Sequence, residues 1–431
     1  MMRIIIISTL LIALSGLWVL RYHAALYSTD VIPNDSMVRI QGYVTSQPYL
    51  KASIQIMRIE RFQVLSEPFP RFSYGDHVQL IGNIQERLTD SGQTELWLIY
   101  PEIRILQETN GVASPLAIRI IASIYGVRQS LQEIFSDLLP EPHASLTAGV
   151  VLGVHRSLAQ DFERALRQTG TIHVIVASGY NVSVVAGLLM TMLGQFLNRR
   201  WVVPLAILGI ILYTIMAGGE PPIIRAAIMG SLAFIAQFLG KQYHGLWVLL
   251  LTSMLMALIS PLLIYDVGFQ LSVAATFGIL ALTPTLTPLL ARGVRLLGRN
   301  LTEDLGVTLG AQLSVLPILL VHFGSVSWIS PLVNLIVVNL VPVIMGFGGL
   351  LAGAGFLWLD MARVVALLAW VPLEAFIVVV NWFDGLPLRP ISISSHSAWW
   401  VAAYYALMFF WIWKSNRHPA RAVIQVKRRD E

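Results

Sequence analysis

Residues 171–182 read TIHVIVASGYNV and lie in a stretch, Gln168 to Asn198, that holds no Asp, Glu, Lys or Arg. Such a stretch is long enough to cross a bilayer, which takes about 20 apolar residues. Yet it carries His173, Ser178, Tyr180 and Asn181. Polar side chains at membrane depth cost free energy unless they find partners inside the protein, so this cluster predicts a helix–helix seam or a lined pathway. Ser178-Gly179 in mid-span predicts a broken helix, tolerated where backbone is buried in protein or faces a water-filled cavity.

The rest of the chain extends the same pattern. It is 56% hydrophobic and 12% charged, where soluble domains carry about 25% charged residues. Intervals free of Asp, Glu, Lys and Arg run 4–20, 168–198, 201–219, 226–240, 242–265, 267–291, 305–359 and 390–413, and 364–382 is interrupted only by Glu374. They predict an α-helical polytopic membrane protein with about ten or eleven transmembrane helices. Residues 1–35 read as an N-terminal transmembrane anchor, with Arg3 and Arg21 flanking its apolar run and no Ala-x-Ala site after it. The basic tail 414–431 reads as cytoplasmic by the positive-inside tendency. With Arg3 also inside, the span count is even, which favours ten and makes 305–359 two spans plus a buried re-entrant piece. The net charge of +5 follows partly from the tail and reads as topology rather than nucleic-acid binding.

Residues 36–108 differ in kind. Apolar positions alternate through Val38 and Ile40, Ile54 and Ile56, Phe62 and Val64, Val78 and Leu80, Leu96 and Leu98, with turn signals between them. The pattern predicts a small all-β, OB-like domain. It holds seven Lys and Arg against eight Asp and Glu, with no basic stripe, so a structural or docking role is favoured over DNA binding. In 109–170, read as amphipathic and connecting helices, Ser114-Pro115 starts a helix whose apolar face runs Leu116, Ile120, Ile124, Val127, Leu131, Ile134 and Leu138. It is expected to lie along the membrane interface and couple the barrel to the bundle that spans 171–413.

Further polar residues punctuate that bundle. Arg225 sits one turn into a helix after Glu220 and paired prolines, open to snorkelling, to pairing with Glu220 or Asp266, or to lining a path for phosphates. Asp266 stands where a helix cap belongs, whereas Gln270 and Ser272 lie too deep for capping alone. Glu374 on a late span shares Arg225's ambiguity. Gln312, Ser314, Asn334 and Asn339 continue a trail of uncharged polar side chains. The 9 histidines are scattered and there is no cysteine, so no metal site and no cofactor is expected, and a metal-dependent hydrolase is disfavoured. Neither a phosphate-binding loop nor a nucleophile elbow is present in the sequence.

At these residues the chain resembles the ComEC family of competence proteins. TGTIHVIVASGYNV at 169–182, PPIIRAAIM at 221–229, DVGFQLSVAA at 266–275 and LPILLVHFGSVSWISPLVNLIVV at 316–338 follow the family's blocks in order. The resemblance covers about residues 1–413, including the anchor and OB-like segment. It departs at Asn181, where the family usually has His, and at Asn339, where a proline is expected soon after Asn334. The metallo-β-lactamase-like domain of many relatives is not found before Glu431, which reads as a channel-only member.

The resemblance implies a multi-pass channel in the inner membrane, its OB-like domain extracytoplasmic, admitting single-stranded DNA to the cytoplasm during natural transformation. Arg225 would meet phosphates, and His173, Ser178, Gly179, Tyr180, Asn181, Gln270, Ser272 and Asn334 would line the path. Asp266, Glu220 and Glu374 would be structural or coupling residues. Single-stranded DNA, membrane lipid, a cytoplasmic helicase-like motor, a DNA receptor and a separate nuclease are the implied partners, and the chain itself is not expected to be an enzyme. Two alternatives stay open. One is a secondary transporter of another anionic solute, with Arg225, Asp266 and Glu374 as its site. The other is a membrane-embedded hydrolase using His173 and Ser178, although their spacing sets them about 140° apart on an ideal helix.

Overall fold

Period-two alternation folds residues 37–105 into seven strands: β1 (Met37–Tyr43), β2 (Tyr49–Lys51), β3 (Ile54–Ile59), β4 (Phe62–Ser66), β5 (His77–Leu88), β6 (Thr94–Ile99) and β7 (Glu102–Ile105). The computed structural model describes residues 14–23, 36–51, 54–88, 94–106, 115–154, 158–175, 178–293, 298–387, 391–392 and 398–417. The strand order is β1-β5-β6-β4-β3-β2, with β7 also on β5. β4 and β6 run parallel and the other pairs antiparallel. A bridge between Val44 and Ile59 joins the β1 end back to β3, which curls the sheet toward a barrel. Its inward positions Val44, Met57, Ile59, Phe62, Val64, Val78, Leu80, Ile84 and Leu98 form one apolar cluster.

Helical residues 14–23 (α1) precede the barrel, and α2 (Leu116–Leu138) follows it. The first half of α2 packs on the barrel. Gly75, at φ +90°, leaves room for Ile118 and Ala122, Tyr74 meets Tyr125 edge-on at 5.0 Å, and Arg128 Nη1 donates to Gln47 Oε1 at 2.6 Å. The second half packs on the bundle.

The bundle comprises α3 (His143–Leu152), α4 (Gln160–Thr169), α5 (Ile172–Ile175), α6 (Gly179–Phe196), α7 (Arg199–Met216), α8 (Pro221–Phe238), α9 (Gly245–Ile259), a 3₁₀ turn (Pro261–Tyr265), α10 (Val267–Ala281), α11 (Thr283–Gly293), α12 (Arg299–Phe323), α13 (Ser330–Leu357), α14 (Leu359–Asp384) and α15 (Ala398–Arg417). Two short strands, β8 (Ser325–Val326) and β9 (Ile391–Ser392), pair outside the helices. The chain is a helical multi-pass membrane protein with a small β domain.

Among the described residues, 6 helices are long and apolar enough to span a membrane: Ile172–Phe196, α7, α8, Asn300–Phe323, α13 and α14. The pair α10 and α11, bent by 53°, makes a seventh if counted as one span. The expected spans at 4–20 and 390–413 run into residues outside the described ones, and α9 is a shorter apolar helix that gives way to the 3₁₀ turn at Pro261. Between Phe323 and Ser330 there is only a short connection with β8. The buried re-entrant piece expected in 305–359 is therefore not there, because α12 and α13 are long enough to use up the interval.

Close crossings hold the bundle. A Cβ on Gly278 would lie 2.1 Å from the Gly310 carbonyl oxygen, so α10 and α12 touch backbone to backbone. In α12, Pro317 has no N–H to give the Leu313 carbonyl. Tyr404 Oη of α15 donates to that carbonyl at 2.8 Å, and Tyr405 Oη to the Ser314 carbonyl at 2.9 Å.

Candidate functional site

Three helix starts converge in the bundle. At the first, Ser178 caps α6: its Oγ accepts from the Asn181 N–H at 3.4 Å and donates to Asn181 Oδ1 at 3.1 Å. Asn181 is buried, and its Nδ2 donates to the Val150 carbonyl at 3.1 Å. Val150 sits in the last turn of α3, where carbonyls have no partner within the helix. The Ser-Gly-Tyr-Asn cluster thus starts one helix and finishes another.

At the second, Pro221 and Pro222 open α8, which suits residues whose N–H groups have no helical partner. One turn on, Arg225 is buried, only 6% exposed. Its Nη1 donates to the Ser272 carbonyl and to Thr276 Oγ1 on α10. Its Nε is buried with no hydrogen-bond partner among the described residues. Gly179 lets it in, since a Cβ there would lie 3.2 Å from Ala226 Cβ and 3.4 Å from Arg225 Nη2. Neither snorkelling nor an ion pair with Glu220 or Asp266 accounts for this arginine: its partners are neutral oxygens. Glu220 precedes α8 without a side-chain capping bond.

The third start is that of α10, capped by Asp266 Oδ1, which accepts from the Phe269 N–H at 2.7 Å. Gln270 Nε2 donates to the Ile264 carbonyl at 2.9 Å, and its Oε1 accepts from His322 Nε2 at 3.2 Å. Ser272 contributes its carbonyl to Arg225.

Other expected site residues lie apart. His173 is exposed, and its Nδ1 donates to the Gly170 carbonyl at 3.0 Å. It shares no hydrogen bond with Ser178, so the dyad of a hydrolase is not assembled. Tyr180 is half-exposed, with the Asp304 carboxylate close enough to act on it electrostatically. Asn334 is buried, its Nδ2 donating to Ser330 Oγ at 3.0 Å while its Oδ1 has no partner among the described residues. Glu374 Oε2 accepts from His143 Nε2 at 2.8 Å, which ties α14 to α3. The structure therefore groups Gly179, Arg225 and Ser272 in one place and Ser178 with Asn181 beside it. Asp266 and Gln270 adjoin them on α10, Glu374 belongs to the seam of α14 with α3, and Asn334 bonds within α13.

Sequence reasoning missed Thr276, His322, His143 and Asp304. Thr276 was detectable as the residue one helical turn beyond Ser272, and Asp304 as a carboxylate at the head of an otherwise charge-free interval. Nothing local marks His143 or His322, whose partners are far away along the chain.

A guanidinium withdrawn from water and met only by neutral acceptors keeps its full positive charge, a costly arrangement unless an anion completes it. The residues that build this site fall in the part of the chain that matches the family described as Competence protein, over residues 150–418. The chain belongs to the competence protein family. ComE operon protein 3 of Bacillus subtilis (strain 168) is 25% identical over 264 residues, 61% of this chain and 32% of that protein. A protein of Aquifex aeolicus (strain VF5), described as uncharacterized, is 29% identical over 51% of this chain and 50% of its own length. YcaI of Escherichia coli (strain K12), also described as uncharacterized, is 27% identical over 56% and 34%. This competence-family chain thus spans from about a third to half the length of the curated relatives it matches. No solved structure matches it.

Proposed function

We propose that this protein is the inner-membrane channel that conducts single-stranded DNA into the cytoplasm during natural transformation. The observation that carries the reading is Arg225: a buried cation inside a span, bonded to the Ser272 carbonyl and Thr276 hydroxyl and to no carboxylate among the described residues. Membership of the competence family supports it. A polyanion offers phosphates in series, and each passing phosphate supplies the missing counter-charge. The half-exposed Tyr180 and the exposed His173 offer rings on which bases stack without regard to sequence. The pathway is passive in this reading. A cytoplasmic helicase-like motor pulls the strand, a DNA receptor delivers it, a separate nuclease removes its complement, and the β domain lies outside the cytoplasm.

A transporter of another anionic solute would use Arg225, Asp266 and Glu374 as one site. Their separate engagements, with α10, with the α10 N-terminus and with His143, argue against it.

The test is transformation of a deletion strain carrying wild type or Arg225→Ala, with labelled DNA scored outside and inside the inner membrane. Arg225→Ala should insert normally and cut DNA entry on the order of a hundredfold, the equivalent of ~2.7 kcal/mol, with label held outside. Arg225→Lys should keep part of the activity, since a point charge still meets phosphate. Wild-type entry by an inserted Arg225→Ala protein would falsify the phosphate contact.

A further inference from the structure

A cavity of about 290 Å³ lies between the end of α2 and α14. Leu138, Leu139 and Pro140 close one wall; Arg363, Ala366, Leu367 and Trp370 form the other. The α14 residues recur at helical spacing and make a single strip along that helix. Arg363 is the only charged group among the described residues of the lining. It stands in the first turns of α14, just after the exposed Trp358 and Leu359, where a spanning helix meets the headgroup level and tryptophan anchors it. Trp370 lies about 10 Å further along the axis, at 1.5 Å per residue. The strip therefore runs from a cationic end near the interface to an apolar end at depth, the same order as headgroup and acyl chain.

What surrounds the cavity fits that order. Val364, Leu367, Leu368 and Val371 of α14 are all exposed, and a spanning helix with such a face turns it to lipid. Arg363 Nη1 donates to Asp360 Oδ1 at 3.1 Å. Both side chains of that pair are well exposed, so it is weak, and the rest of the guanidinium fork remains free to meet a phosphate.

We propose that this cavity is a phospholipid site, with the lipid phosphate on Arg363 and one acyl chain laid along Ala366, Leu367 and Trp370. The seat leans on a polar pair whose histidine is buried. Trp370 stacks on His143 at 5.7 Å between ring centres, and His143 holds Glu374. A bound chain thus backs the contact that ties α3 to α14. The proposal stands independently of the DNA-channel reading.

The experiment uses the full chain in liposomes containing phosphatidylglycerol with a photoreactive group at mid-acyl chain, and a diacylglycerol probe with the same chains. After illumination, adducts are mapped by mass spectrometry. The phosphatidylglycerol probe should label the α14 peptide around Trp370 about tenfold more than diacylglycerol does, a ratio equal to ~1.4 kcal/mol. Arg363→Gln should erase that difference. Leu367→Glu, at an exposed position that leaves the core packing untouched, should remove labelling by both probes, while adducts on other spans stay constant as the internal control. Unchanged α14 labelling in either variant, or equal labelling of wild type by the two probes, overturns the site.

Discussion

The barrel buries a cluster that is apolar throughout, from Val44 and Met57 to Ile84 and Leu98, and among its described residues the buried polar ones are Gln55, Ser66 and Gln79. The bundle buries Thr169, Thr171, Asn181, Arg225, Ser330 and Asn334 among its hydrophobic residues; Asn181, Arg225 and Ser330 reach across to other elements, while Thr169 and Asn334 bond locally. The difference follows from the two solvents. Water drives the barrel's side chains together and the strand ladder satisfies its backbone, so alternation is enough to specify it. Lipid is as apolar as leucine, so helices in a bilayer gain little by hiding leucine from it. They are selected by close backbone approach and by polar groups that find one another.

That contrast breaks hardest at Gly278. A valine there would put its Cβ 2.1 Å from the Gly310 carbonyl and 2.4 Å from Ser314 Oγ. The Gly310 carbonyl is backbone and cannot swing aside, so α10 and α12 must separate. Gly278→Val should cost about 4 kcal/mol or more, seen as a large drop in the melting temperature of the bundle in detergent, with the protease resistance of the barrel kept. A melting curve like the wild type's would show that this crossing does not hold the bundle.

Next in size is the barrel's own core. Leu98 is fully buried on β6, and Leu98→Ala should cost about 3 kcal/mol by lost burial and cavity. Protease cleavage should rise between residues 36 and 106 while the bundle melts as before. If both regions weaken together, the α2 contact makes them one cooperative unit and the comparison loses its force.

A smaller effect belongs to Asn181. Asn181→Ala leaves the Val150 carbonyl at the end of α3 without its donor, a penalty of about 1–3 kcal/mol. Hydrogen exchange should quicken around residues 178–184. Exchange no faster than in wild type would mean that water replaces the amide and that this start of α6 is wet.

Much of the fold was legible because its causes are local. Alternation at Val38, Ile54, Phe62, Val78 and Leu96 located the longer strands, while β2, β8 and β9, two or three residues long, escaped. Charge-free intervals located the long helices. The site was legible as a set of residue types but not as a set of pairs. The Ser178-Gly179 break and the Asp266 cap are written in adjacent residues, whereas the partners of Arg225, Asn181 and Glu374 come from helices 31 to 231 residues away. No periodicity encodes such a pairing. The same limit explains the re-entrant piece wrongly expected within 305–359: composition measures how much apolar chain there is, not how long each helix runs before it turns.

The smallest expected effect sits where the two regions meet. Tyr74 of the barrel and Tyr125 of α2 pack edge-on, and burial raises both phenols above the ordinary value of 10.0. Tyr125 adds to the rise at Tyr74, while Arg128 opposes it at Tyr125. Because the fold favours the neutral phenols, the contact keeps its full contribution below the ordinary tyrosine value and loses it as pH climbs through the raised ones. Mild alkali should therefore loosen α2 from the barrel before either region unfolds. An ultraviolet titration of wild type against Tyr125→Phe measures this, with cleavage of the α2 segment as the second reading. In the variant the remaining phenol at 74 should titrate closer to its ordinary value, and alkaline cleavage should lose part of its pH dependence. An unchanged titration curve for Tyr74 would show that the two rings do not sense each other, and that the barrel rides on α2 through the Arg128–Gln47 bond and the Gly75 notch alone.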